Sequence, residues 1–424
     1  MKKLGFLLVV VMVFMTALIS PRTAVAAEGQ AGEITVLVDG LKMDFDVAPV
    51  IQNDRVMLPF RKIAEDVNVE VNWDAGFRKI VGSNGKVAVT MFVDNKYAWI
   101  GFEKVELDAS PVIIEDRTLI PARFFTEAFG CEVDWNPDTR MVKISSPAKI
   151  MQVTGFYALG DQQSSSWTDL FATPYPGTGI GNTGMINKLA LGWYSLDENG
   201  SLLTRSTTGW QRPDSWEKVV DAAEQYNLDT EMVVHITDGE GRLVRFLSNP
   251  EAVKIAVESI AKEAVLYNGV NLDFEGLGWN ENNEQLQQTR ASFNNFATLL
   301  VQELKRNNRQ LILTLHAPNS AYLGYDYATL GKVADYIIIM AYDYGSKPEP
   351  AGMIRQAVEM AKASVPASKL LLGISVVGEN PDSLQTITGI AKKYNLGGIA
   401  LWRLGLLNSD KWKALGETVT KSSL

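Results

Sequence analysis

From residue 149 onward, apolar runs of strand length alternate with stretches whose apolar residues recur at helical spacing. The runs predict strands near 151–158, 187–195, 230–237, 267–275, 309–316, 334–343, 369–377 and 396–403. The intervening spacing predicts helices over 215–227, capped by Asp214, and over 251–266, opened by Asn249-Pro250. Further helices are expected over 290–306, 350–363 and 381–394. Eight strand–helix units over residues 149–424 predict a closed (β/α)8 TIM barrel, an α/β fold of about 250 residues. A doubly wound open sheet is the other arrangement of this pattern, but no Gly-x-Gly-x-x-Gly turn follows any of the strands.

The chain before residue 147 repeats itself. Arg55-Val-Met-Leu-Pro59-Phe-Arg61, then Glu65 and Val71-Asn-Trp73, returns as Arg117-Thr-Leu-Ile-Pro121-Ala-Arg123, Glu127 and Val133-Asp-Trp135 at a constant offset. Each copy reads as a strand, a helix starting near the proline and a strand carrying the tryptophan. Residues 33–147 are therefore expected to form a small α+β domain of two related repeats, joined to the barrel by the linker Ser145-Ser-Pro147. Cys131 stands opposite Val69 of the first copy and reads as a small buried apolar residue. Arg61, Glu65, Arg123 and Glu127 read as ion pairs and helix-face charges.

Residues 1–27 have the pattern of an export signal: Lys2 and Lys3, an apolar run from Leu4 to Ile19, then Ala24-Val25-Ala26 for cleavage. No later segment is long and apolar enough to span a bilayer, so a mature protein secreted or held noncovalently at the cell surface is expected. The formal net charge is −9, and loss of Lys2, Lys3 and Arg22 with the leader makes it more negative. Such a balance argues against nucleic acid as a partner. A single cysteine excludes an intramolecular disulfide, which suits a bacterial wall or medium.

Candidate chemistry concentrates at strand ends. In Asn268-Gly-Val-Asn-Leu-Asp-Phe-Glu275, alternation sends Val270, Leu272 and Phe274 one way and Asn271, Asp273 and Glu275 the other. Two carboxyls held side by side have their pKa values driven apart, one serving as proton donor and one as anion, the chemistry of a glycosidase. The sixth strand closes on Met340-Ala-Tyr342-Asp343-Tyr344-Gly345, and the first on Gly155-Phe-Tyr157. In the eighth, Gly398 and Ala400 are expected to leave room beneath Trp402. A barrel mouth with flat rings, hydroxyl acceptors and a proton donor suits a sugar. His316 reads equally as a wall residue or a substrate contact, and His235 as core. Trp193, Trp210 and Trp279 are weaker candidates for extending the groove, and the loop at about 159–185 for roofing it.

These motifs give the chain a resemblance. Residues 149–424 are similar to glycoside hydrolase family 18, whose signature is D-G-x-D-x-D-x-E on the fourth strand, M-x-Y-D on the sixth and a Trp ending the eighth. Here N-G-V-N-L-D-F-E, M-A-Y-D and Trp402 occur in that order. Residues 33–147 resemble the copper amine oxidase N-terminal-like domain of bacterial surface proteins, although His235 and His316, the only histidines, lie outside it.

The resemblance implies a substrate-assisted mechanism without metal or cofactor, in which Glu275 is the acid and base, Asp273 holds the acetamido N–H and Tyr342 hydrogen-bonds the acetamido oxygen. Asn271, Tyr157, Met340, Asp343 and Trp402 would form the sugar site. The implied partner is an N-acetylglucosamine-containing polysaccharide, peptidoglycan or chitin, with wall attachment through residues 33–147. Short connections after the seventh strand imply an open groove, which favours peptidoglycan. Asn268 and Asn271 stand where the family carries acids, and the Asn271 amide is expected to donate to ionised Asp273. A catalytically inactive carbohydrate-binding barrel is the alternative of a different class.

Overall fold

The computed structural model describes residues 32–158, 165–205 and 211–422. Residues 1–27, read as an export signal, Trp210 and the first part of the 159–185 loop lie outside them. The barrel strands are β1 (Lys149–Tyr157), β2 (Lys188–Leu196), β3 (Asp229–Thr237), β4 (Gly269–Glu275), β5 (Gln310–His316), β6 (Tyr336–Met340), β7 (Leu370–Ser375) and β8 (Gly398–Trp402). Each pairs in parallel with the next, and β1 pairs with both β2 and β8, so the ring closes. No helix among the described residues is long and apolar enough to cross a membrane.

Alternation along the strands sorts side chains into two layers. Val270, Leu272 and Phe274 enter the core between sheet and helices, where Phe274 packs on Phe293 and Phe296 of the helix Asn283–Arg306. Burying each such ring stabilises by about 1.5–3 kcal/mol, which anchors β4 from outside. Inside the ring, Phe156, Ala190, Val233, Ile312, Ile338, Leu371 and Ala400 form a separate apolar plug. The helix on β4 begins earlier than residue 290 because Asn282 and Gln285 form a capping box. Asp214 does not cap its helix, which starts at Glu217 with no side-chain cap, and its carboxylate is fully exposed near Arg205. Within the described part of the 159–185 loop, the helix Ser166–Phe171 buries Trp167, Leu170 and Phe171 completely.

In the front domain the two repeats pair through their proline-ended strands, Arg55–Pro59 antiparallel to Arg117–Pro121. Symmetry about that pairing produces reciprocal ion pairs: Arg55 reaches Asp108 at 2.9 Å and Arg117 reaches Asp46 at 2.7 Å. Cys131 is buried in this domain's core, and burial pushes its thiol up to about 12. The linker is pinned. Asp39 accepts from Ser146 N (2.8 Å) and Oγ (2.6 Å), and Lys392 Nζ of the barrel helix Pro381–Lys393 sits 3.2 Å from Asp39 Oδ1. Gly389 permits the approach, since a Cβ there would lie 2.4 Å from the Asp39 carbonyl oxygen.

Candidate active site

β4 carries the site, and its neighbours fix what each residue sees. Asn271, Asp273 and Glu275 face the barrel interior at successive heights, with Asp273 in register with His235 of β3 and Thr314 of β5. Asn271 is fully buried; its amide donates to Glu231 Oε2 (2.9 Å) and its carbonyl accepts from Thr314 Oγ1 (2.7 Å). This corrects two expectations. Its bonds run to β3 and β5 and none reaches Asp273, and Asn271 lies fully buried beneath the acids instead of at a surface a sugar could touch. Lys188, 4.0 Å from Glu231, offsets the charge under the site and donates to Gln310 at 2.6 Å. Asn268, lower still, accepts from Thr230 N at 2.8 Å and ties β4 to β3.

Asp273 is buried, and its Oδ1 makes no hydrogen bond. Burial, then the neighbouring Glu275 carboxylate, pushes it up to about 7 against the pull of His235. Burial also raises Glu275, but His235 and then His316 outweigh it and hold that carboxyl below its usual range. His235 Nε2 lies 3.6 Å from Glu275 Oε1. Burial acts against protonation of the imidazole, yet the two carboxylates leave it raised. His235 is therefore part of the site and not plain core. The signal was its place on the inward face of β3, two positions along from Val233 and four from Glu231.

Glu275 opens onto a groove of about 800 Å³ lined by Thr237, Asp238, Arg245, Trp279, Glu281, His316 and Tyr322 among others. Trp279 is 54% exposed and leans on Tyr322, whose ring stacks on His316 at 4.0 Å between centroids. Of the weaker aromatic candidates, Trp279 lines the groove, while Trp193 is buried between sheet and helices. His316 sits between, and burial lowers its pKa against the pull of Glu275 and Asp343.

Met340 ends the sixth strand at the same parity as Tyr336 and Ile338, and Tyr342 follows just beyond its end. Met340 is buried and Tyr342 half-buried, its ring edge over Gly373 of β7, where a Cβ would lie 3.3 Å from Tyr342 Cε1. Burial, then Asp273 and Glu275, holds the Tyr342 hydroxyl well above its usual range, so it is a donor. Asp343 is exposed at the rim, 3.3 Å from Lys347, and its backbone N–H donates to buried Glu349 at 2.8 Å. Trp402 is half-buried and meets Phe156 edge-on at 5.3 Å, so Phe156 fills space expected beneath it. Gly398 serves backbone approach, since a Cβ there would lie 2.1 Å from the Gln152 carbonyl oxygen. Tyr157 points the other way. It packs against Trp193 between sheet and helices, because Phe156 takes the inward position on β1. That overturns its expected place in the sugar site.

Among the described residues, His235, Asp273 and Glu275 are the set whose ligand atoms come closest to metal-binding spacing, all within 4.8 Å. The acid–imidazole contact accounts for that spacing. No such set lies in the described front domain, whose one cysteine is held as a thiol, so the residues there do not fit a copper ion.

A closed parallel barrel with paired acids at the C-terminal end of a strand, a phenol donor and aromatic walls defines a hydrolase of the glycosidase class. Residues 155–380 match the family model "Glycosyl hydrolases family 18", more than half of the chain, and the protein belongs to that family. Residues 37–144 match the "Copper amine oxidase N-terminal domain". The chain is 22% identical to the "Uncharacterized glycosylase YvbX" of Bacillus subtilis (strain 168), covering 54% of this chain and 84% of that protein. Its fold is similar to a class V chitinase from Pseudomonas fluorescens Pf-5 (TM-score 0.53, 19% identity, 63% of this chain and 99% of that one). It is likewise similar to the Bacillus cereus spore cortex-lytic enzyme SleL (TM-score 0.52, 16% identity, 66% and 77%).

Proposed function

We propose that this glycosidase is secreted and cleaves β-linked N-acetylglucosamine bonds in peptidoglycan or chitin-type glycans, with retention, by a substrate-assisted mechanism. The observation that carries the reading is the single inward column Asn271–Asp273–Glu275, buried at its base and reaching the groove at Glu275. Glu275 protonates the glycosidic oxygen while the substrate's own acetamido oxygen attacks the anomeric carbon. Asp273 accepts the acetamido N–H and balances the oxazolinium charge, for which its unpartnered Oδ1 is available. The Tyr342 hydroxyl donates to the acetamido oxygen, Trp402 supports the ring, and Asp343 at the rim contacts it. Water then opens the intermediate with Glu275 as base.

Peptidoglycan is the favoured polymer. Trp279 at the groove is 54% exposed, and β7 is followed only by a short turn, Val376–Gly378, before the next helix. The cortex-lytic name of one structural neighbour points the same way. The front domain is proposed to attach the enzyme to the wall.

Incubating the purified protein with peptidoglycan and with chitin oligomers, beside a Glu275→Gln control, tests this. Product release that falls about 10²–10⁴-fold in the variant supports the hydrolase. Glycan binding without release by either protein would instead identify a carbohydrate-binding barrel.

A further inference from the structure

One titrating group beside the acids has no role in the steps above. His235 stands on β3 in register with Asp273, its Nε2 3.6 Å from Glu275 Oε1. Asn271 is bonded to Glu231 and Thr314, and Asp273 Oδ1 accepts no hydrogen bond from it. The other ionisable groups facing the cluster are His316 from β5, Tyr342 and Asp343 beyond β6, and Tyr325, whose hydroxyl donates to the Phe274 carbonyl behind β4. The tyrosines hold their protons far above neutrality, and His316 is biased toward its neutral form. Burial biases Asp273 toward its protonated form, the two carboxylates bias His235 toward the imidazolium against the effect of burial, and it is His235 that stands at ion-pair distance from Glu275.

We propose that His235 is a positioning residue for Glu275, seating its carboxylate and storing the proton that Glu275 delivers. The proposal rests on the hydrolase reading. In the open site the pair is imidazolium and carboxylate. A sugar covering the groove removes water from both charges, and in the lower dielectric the neutral pair is favoured. The proton passes from His235 Nε2 to Glu275 Oε1, leaving a neutral imidazole and a carboxylic acid. Glu275 then gives that proton to the glycosidic oxygen as the bond to the anomeric carbon breaks. In the second step the attacking water returns a proton to the carboxylate, from which the ion pair re-forms.

The chain has two histidines, so ring-proton NMR of the full-length protein separates them, and His316→Gln assigns the signals. In wild type the His235 midpoint is expected above the ordinary value near 6.5, falling by about one pH unit in Glu275→Gln. Equal midpoints in the two proteins overturn the proposal. This measurement needs no substrate, so its outcome is distinct from failure of the hydrolase reading, which would appear as absence of glycan products. In turnover, His235→Gln is expected to shift the alkaline limb of kcat/KM downward by about one pH unit. A uniform loss of rate with the limb in place would assign His235 a merely structural role and overturn the proposal.

Discussion

The front domain and the barrel interior treat charge in opposite ways. In the front domain, Arg55–Asp108 and Arg117–Asp46 are duplicated by the repeat, sit half in solvent and have ordinary short contacts. Inside the barrel, Lys188, Glu231, Asp273 and His235 are buried, and Asp273 Oδ1 and Glu231 Oε1 lack hydrogen-bond partners. A buried, incompletely satisfied carboxylate costs several kcal/mol, whereas an exposed pair contributes about 0–1 kcal/mol. The barrel interior carries incompletely satisfied charge at a cost, and that is where substrate chemistry belongs. The comparison also locates the boundary between the two, because the Lys392–Asp39 pair at the docking surface is buried like the barrel's charges.

That boundary gives the largest stability effect. Replacing Lys392 by Met keeps the volume but leaves Asp39 buried without its counter-charge, since Ser146 alone remains as donor. A loss of about 3 kcal/mol is expected in denaturant unfolding, with faster proteolysis at Ser145–Pro147. An unchanged midpoint would show that the two domains are held by something other than this pair.

Asp273→Asn sharpens the contrast from the opposite side. The folded-state pKa of Asp273 is raised to about 7 from 3.8, so the folded protein holds that proton more tightly than the unfolded chain. Stability linked to this group is therefore full below about pH 4 and declines as pH rises to about 7, where the buried anion is formed. Asn removes the anion. The variant is expected to be about 2 kcal/mol more stable than wild type at pH 8, with the gain vanishing toward pH 4, while hydrolysis falls. Thermal melts across that range check it; a variant less stable at pH 8 would mean that Asp273 is well compensated.

These contrasts mark what the chain reveals by its pattern and what it hides. Period-two alternation is local, so the inward set Asn271, Asp273 and Glu275 was readable from β4 alone, and the repeat in the front domain from its constant offset. Which neighbours meet them is not local. His235 became part of the site through the register of β3 with β4, and Asn271 turned to Glu231 and Thr314 through the same pairing. Tyr157 was misplaced for a related reason. Adjacent Phe156 and Tyr157 offer two aromatics to opposite faces, and only packing against Trp402 decides which ring goes in. Asp214 looked like a cap by residue type, but the helix begins beyond its reach.

The smallest expected effect sets exposure against contact distance most directly. Arg117 and Asp46 make a short contact of 2.7 Å, and the arginine holds the Asp46 carboxyl below its usual range. By distance alone this pair looks stronger than Lys392–Asp39 at 3.2 Å. Exposure reverses that order. Water competes for both partners, salt screens them, and Asp46 freed of its arginine remains solvated. Arg117→Ala should leave the melting temperature within about 2 °C of wild type at physiological salt. A larger drop would mean that the reciprocal pairs hold the two repeats together, and that burial rather than duplication had been overvalued as the sign of consequence in this molecule.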